Sequence, residues 1–178
     1  RWLSTNPASS VAARATRRCA HITTTGRIKI SLDPASFWAL ARNYLAAADR
    51  LLVERTSEVY LPAAYLLCHA LELALKAYLL HAGVSVRLLK EKYRHDLKAC
   101  LAAAEQEGLG RYLTLSADEQ EDIKQINEYY ARKELEYAFG KEMTFPPIER
   151  LRATVDRSLA AIFNPLTEEV FRGMSGPD

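Results

Sequence analysis

Between Ala63 and Leu80 nearly every residue is apolar, and only His69, Glu72 and Lys76 interrupt the run. Steps of three and four residues place those three side chains within about 60° of one another on a helix. A helix over this stretch, with Pro62 near its start and Gly83 placed to end it, is apolar on almost every side and carries one narrow polar seam. Such an element needs neighbours all round, so the rest of the chain must supply amphipathic helices to cover it.

The flanking sequence does supply them. Asp33 suits the cap and Pro34 the first position of a helix in which Phe37, Ala41, Tyr44, Ala48, Leu51 and Leu52 recur at helical spacing. "RHDLKACLAAAEQEG" predicts a helix with Leu97, Leu101 and Ala104 on its apolar face and Gly108 closing it. "SADEQEDIKQINEYYARKELEYAFG" opens with Ser116 and Glu119 in capping-box spacing. Its stripe is Ile123, Ile126, Tyr130 and Tyr137, with Lys133 on the same face and Gly140 as the stop. After Pro146 and Pro147, a last helix carries Ile148, Leu151, Val155, Leu159 and Ile162 in step.

These patterns predict an all-α, up-and-down bundle of about five helices over residues 31–163. A tail over 164–178 would hold one apolar turn (Leu166, Val170, Phe171). Hydrophobic residues are 49% of the 178, enough for one real core. There is no internal repeat and no strand pattern.

The net charge of +2 hides an asymmetry. Residues 1–30 carry Arg1, Arg14, Arg17, Arg18, Arg27 and Lys29 with no acid, giving +6. The remainder has 18 basic against 22 acidic residues, giving −4. The first 30 residues read as a flexible basic extension, with a composition that also fits a transit peptide. A mildly acidic body is unlike a non-specific nucleic-acid binder, so any basic footprint must be local. Cys68 and Cys100 lie in apolar helical sequence and, with Cys19, form no paired framework, which points to a reducing cytoplasm. The charges within the apolar helix cost roughly 2.5–3.5 kcal/mol each in a bilayer, which argues against a membrane span.

Three groups of residues can carry function. In the seam, His69, Glu72 and Lys76 are either a water-facing edge with a helpful Glu72–Lys76 pair or a covered site. In "RHDL", Arg94, His95 and Asp96 either cap the next helix or join a site. Asn127, Tyr130 and Lys133 share a face suited to a nucleotide or, more simply, to an interface between protomers. Phosphate loops, C-x-x-C pairs, G-x-S-x-G and H-E-x-x-H are absent. Zinc held by Cys68, His69, His95 and Cys100 is disfavoured, because adjacent ligands on one helix diverge by about 100°. No metal and no cofactor is expected.

Together, "CHALELALKAYLLHAG" followed by "RHDLKACLAAAEQEG" resembles the HEPN superfamily of prokaryotic helical bundles, with the specific part at 63–108. The "INEYYARKELEYAFG…PP" segment is similar to an uncharacterised bacterial branch of it. The resemblance implies a homodimer in a superfamily whose members often bind or cut RNA in toxin–antitoxin, phage-defence or RNA-processing systems. Others accompany a nucleotidyltransferase, an antitoxin-type partner or a bound nucleotide. By position it singles out Glu72 and Lys76, then His95, Asp96 and Leu97. The nuclease members' Arg, followed by His after four to six residues, does not carry over. Arg87 and His95 have seven residues between them, and the final helices hold no histidine.

The expectation is therefore an RNA-, nucleotide- or partner-binding domain without the standard nuclease site. Two alternatives stand beside it. One is a metal-independent ribonuclease using His95 or His69 as base with Arg94 or Lys76 on the phosphorane. The other is a purely protein-interacting module.

If the seam is covered, Glu72→Ala leaves Lys76 unpaired and destabilises the fold by about 2 kcal/mol or more. A chemical-denaturation shift below about 0.5 kcal/mol would instead place the seam in open water.

Overall fold

The computed structural model describes residues 31–54, 56–137 and 142–174, with side chains through residue 167. The basic extension over 1–30, Cys19, Gly140 and the side chains of Val170 and Phe171 lie outside the described residues. Among those described, the structure is all-α. Its elements are α1 (Pro34–Leu52), α2 (Ser57–His81), α3 (Val86–Leu88) running into a π-helical turn at Leu89–Tyr93, α4 (Leu97–Gln106), a 3-10 turn at Leu109–Arg111, α5 (Ala117–Tyr130) and α6 (Ile148–Met174).

α2 is the axis of the bundle. Every residue from Ala70 to Leu79 is buried, including Glu72 and Lys76, because α1, α4, α5 and α6 all pack against it. By length and composition α2 could cross a membrane, but 78% of its most apolar window is buried inside the bundle. It starts at Ser57, with Pro62 inside its second turn. α1 presents Ala41, Leu45 and Ala48 to the core, and the two alanines are small enough to bring two helices close. Its cap is as expected, with Asp33 Oδ1 accepting from the Ser36 amide at 2.7 Å. In α6, Ile148, Leu151, Val155, Leu159 and Ile162 are all buried.

Two helix ends differ from expectation. α6 does not stop near residue 163 but runs through Pro165 to Met174, so the predicted tail begins as helix. Pro165 removes one ladder hydrogen bond without ending the helix.

α5 opens with the predicted capping box, Glu119 N to Ser116 Oγ at 3.2 Å and Ser116 N to Glu119 Oε2 at 2.8 Å. It ends at Tyr130, well short of Gly140, and Ala131–Tyr137 form turns. The stop is a Schellman motif: Lys133 N donates to Tyr130 O at 3.0 Å and Glu134 N to Tyr129 O at 2.9 Å. Lys133 takes the left-handed position with φ 61°, which glycine normally fills. Tyr137, placed on the core stripe by periodicity, is instead 71% exposed.

The end of α2 shows the usual solution. Gly83, at φ 91°, donates to Leu80 O and Val84 to Leu79 O in the same motif. Lys133→Gly therefore stabilises the protein by up to about 1 kcal/mol, read as a higher denaturation midpoint. An unchanged or lower midpoint would mean that Lys133 is not strained.

Candidate functional site

The seam is covered by this chain itself. Two elements close over it, the turn leading into α4 and the last turn of α5. Glu72 is 2% and Lys76 8% exposed. Lys76 Nζ lies 2.5 Å from Glu72 Oε1 and also donates to the Arg94 carbonyl. Tyr130 gives its hydroxyl hydrogen to Glu72 Oε2 at 2.5 Å, and His95 Nδ1 meets the same oxygen at 3.0 Å. His69 Nδ1 is 2.9 Å from the Tyr130 hydroxyl and 3.8 Å from Glu72 Oε2, so it reaches the carboxylate through the tyrosine.

Burial pushes the Glu72 carboxyl up. His69 beside it, the charge of Lys76, and the hydrogen bonds from Lys76 and Tyr130 outweigh that and hold it down at about 2. Burial, and then the charge of Glu72, drive the Tyr130 hydroxyl far above its ordinary range. Tyr130 is thus a fixed donor and Glu72 a fixed acceptor.

These roles assign the histidine rings. An ionised carboxylate only accepts, so the hydrogen between it and His95 belongs to Nδ1. Tyr130 has spent its single hydrogen on Glu72, so it accepts one from His69 Nδ1. In the neutral ring each histidine keeps Nε2 as a lone-pair acceptor, and neither Nε2 has a partner among the described residues. The side chains of His69 and His95 are 20% and 41% exposed, so they are the reachable part of an otherwise buried cluster. Tyr44 stands edge-on to His69 with ring centres 4.4 Å apart, and Tyr65 lies nearly parallel to it at 6.0 Å.

The other sequence-predicted residues divide cleanly. Asp96 is the cap of α4, accepting from Ala99 N at 3.0 Å, which leaves His95 free for Glu72. Asn127 is buried and staples α5 to that cap: it accepts from Leu97 N at 2.7 Å and donates to Asp96 Oδ1 at 3.1 Å. Asn127 and Tyr130 therefore face the interior of their own chain, not a partner. Lys133 leaves their face at the Schellman turn and is exposed. Arg94 is exposed at the rim beside His95. Cys68 and Cys100 are buried free thiols, raised by burial, Cys100 to about 12, and they do not gather with His69 and His95 as a metal-ligand group.

Neither Tyr44, which periodicity places on the apolar stripe of α1, nor Tyr65 stands out in the sequence as a site residue. A signal existed for Tyr65, which precedes His69 by four residues and shares its helix face. Tyr44 comes from α1 and only packing brings it in. A cavity of about 960 Å³ lies elsewhere, between Leu52, Val53, Tyr60, Phe145, Pro146 and Arg152. Arg152 in its wall already forms a two-pronged pair with Asp49. Among known proteins, no family model, no curated protein and no solved structure matches this chain.

A carboxylate held at about 2 in the fold, against 4.5 ordinarily, contributes stability that is complete above pH 4.5 and lost as pH falls toward 2. The loss is on the order of 3 kcal/mol. Glu72→Gln should be less stable than wild type at neutral pH, with the difference shrinking across that acid window. Parallel stability–pH curves for the two proteins would contradict this assignment.

Proposed function

We propose that this chain is a HEPN-like helical domain that binds RNA at the rim formed by His69 and His95, without the standard nuclease motif. The observation that carries this reading is the pair of partly exposed histidines fixed by one buried carboxylate. Each offers a lone pair from a ring that cannot turn without losing its Nδ1 partner.

The local charge supports it. Arg87, Lys90, Lys92, Arg94 and Lys98 are all exposed in the segment that delivers His95, against only Glu91 and Asp96. This is a local basic footprint on a body whose remaining charge is negative, and polyanions bind such a patch in a salt-dependent way. The aromatic rings of Tyr44 and Tyr65 beside His69 give unpaired bases a surface to stack on. The family resemblance extends the proposal to a homodimer acting in a defence or toxin–antitoxin setting.

The geometry favours one second reading, a metal-independent ribonuclease. Two histidines with outward Nε2 atoms can divide the work, one taking the 2′-hydroxyl proton and the other, when protonated, returning one to the leaving oxygen. Arg94 is available to the phosphorane. Lys76 is not, because Glu72 and the Arg94 carbonyl already hold its buried ammonium.

The test is one set of assays on wild type, His69→Ala and His95→Ala with a chelator present. Each protein is scored for retention of single-stranded RNA at several salt concentrations and for cleavage of a mixed cellular RNA pool. The expected result is salt-sensitive binding by wild type, weakened several-fold in His95→Ala, and no cleavage by any protein. Cleavage that either substitution abolishes would replace the binding reading with the ribonuclease. Neither binding nor cleavage would sink both.

A further inference from the structure

The turn that brings His95 onto Glu72 is built against its own residue type. Asp96 N donates to Tyr93 O at 2.9 Å, closing a β-turn whose first central residue is Arg94. Arg94 has φ 43° and ψ −112°. That is close to the first central position of a type II′ turn, about 60° and −120°, a slot that glycine fills because a Cβ there is strained.

The strain is imposed from both sides. Arg94 N donates back to Leu89 O across the π-helical turn, and the Arg94 carbonyl is held by the buried Lys76 ammonium. Two and three residues on, the Asp96 carboxylate and the Leu97 amide are pinned by Asn127. The backbone at Arg94 has no room to relax while these contacts stand.

Among the described residues nothing uses the Arg94 side chain. It is exposed, and its guanidinium has no hydrogen bond, ion pair or ring contact among the described residues. Glycine would satisfy the same backbone contacts without strain. A residue that costs stability and makes no internal contact is explained by a ligand outside the fold. We infer that the Arg94 guanidinium is a phosphate-contacting group of this site, held at the rim by a strained turn at the expense of stability.

The chemistry suits the location. A guanidinium offers planar paired donors to phosphoryl oxygens, whereas the neighbouring histidine Nε2 atoms, when neutral, only accept. Arg94 would thus supply the anion contact that the histidines lack, while they take a hydroxyl of the same ligand. This deepens the RNA-binding reading and rests on it for the identity of the ligand, although the strained turn is independent of that reading.

The test compares wild type, Arg94→Gly and Arg94→Ala for denaturation midpoint and for affinity toward two probes, a single-stranded RNA oligonucleotide and inorganic pyrophosphate. Arg94→Gly should raise the midpoint, weaken both probes by about tenfold and lower the steepness of the salt dependence by roughly one phosphate contact. Arg94→Ala should weaken both probes equally without the gain in midpoint, because its Cβ keeps the strain.

Arg94→Gly with wild-type affinity for the probes that wild type binds would overturn the inference while leaving RNA binding intact. A midpoint that falls in Arg94→Gly would overturn it too, since the slot would not then be strained. Pyrophosphate bound by wild type and lost in Arg94→Gly, with no RNA bound by either, would keep the inference and sink the RNA reading. If wild type binds neither probe, both fall.

Discussion

Lys76 is a charged ammonium in the middle of the most apolar helix of the protein, and the arrangement around it follows from keeping that charge satisfied. An ion of this size without partners costs several kcal/mol when buried. Glu72, one helical turn earlier, supplies the opposite charge, and the Arg94 carbonyl supplies a second acceptor. Glu72 in turn needs its other oxygen filled, which Tyr130 from α5 and His95 from the turn before α4 accomplish. One ion pair thereby ties together three segments that are distant in sequence. It also fixes which way two histidines point. Structural satisfaction and a reachable chemical surface are consequences of the same contacts.

The backbone around this pair is strained where it is most constrained. Arg94 and Lys133 are the two non-glycine residues with positive φ among those described, and each ends or turns a segment that carries part of the cluster. Lys133 closes α5 three residues after Tyr130, so the helix stops just after delivering its hydroxyl to Glu72. Arg94 turns the chain so that His95 faces Glu72 while Asp96 can cap α4. Gly83, by contrast, ends α2 at a place remote from the cluster and adopts its conformation without a steric penalty.

Much of this was legible before folding. The seam, the caps of α1 and α5, the glycine that ends α2 and the core stripe of α6 all rest on local rules, because caps and periodicity involve residues within a turn or two of one another. His95 could be marked as a candidate but not as a partner of Glu72, since 23 residues separate them and no local rule links them. The early end of α5 was hidden for a related reason. The residues after Tyr130 are good helix formers, and a Schellman turn with lysine in the glycine position leaves no trace in composition. The same early end moved Lys133 and Tyr137 off the face that periodicity gave them.

The sequence by itself determined an all-α bundle around one nearly all-apolar helix, and it determined that His69, Glu72 and Lys76 would lie along a single line on that helix. Helical spacing is enough to fix both. Only the tertiary structure decided that the line is covered by Tyr130 and the Arg94–His95 turn, and that His95 shares an oxygen of Glu72 with Tyr130. It also decided that Lys76 is consumed internally while Arg94 is left at the rim. Those outcomes depend on which distant donors reach a buried carboxylate first, and that competition is settled by packing.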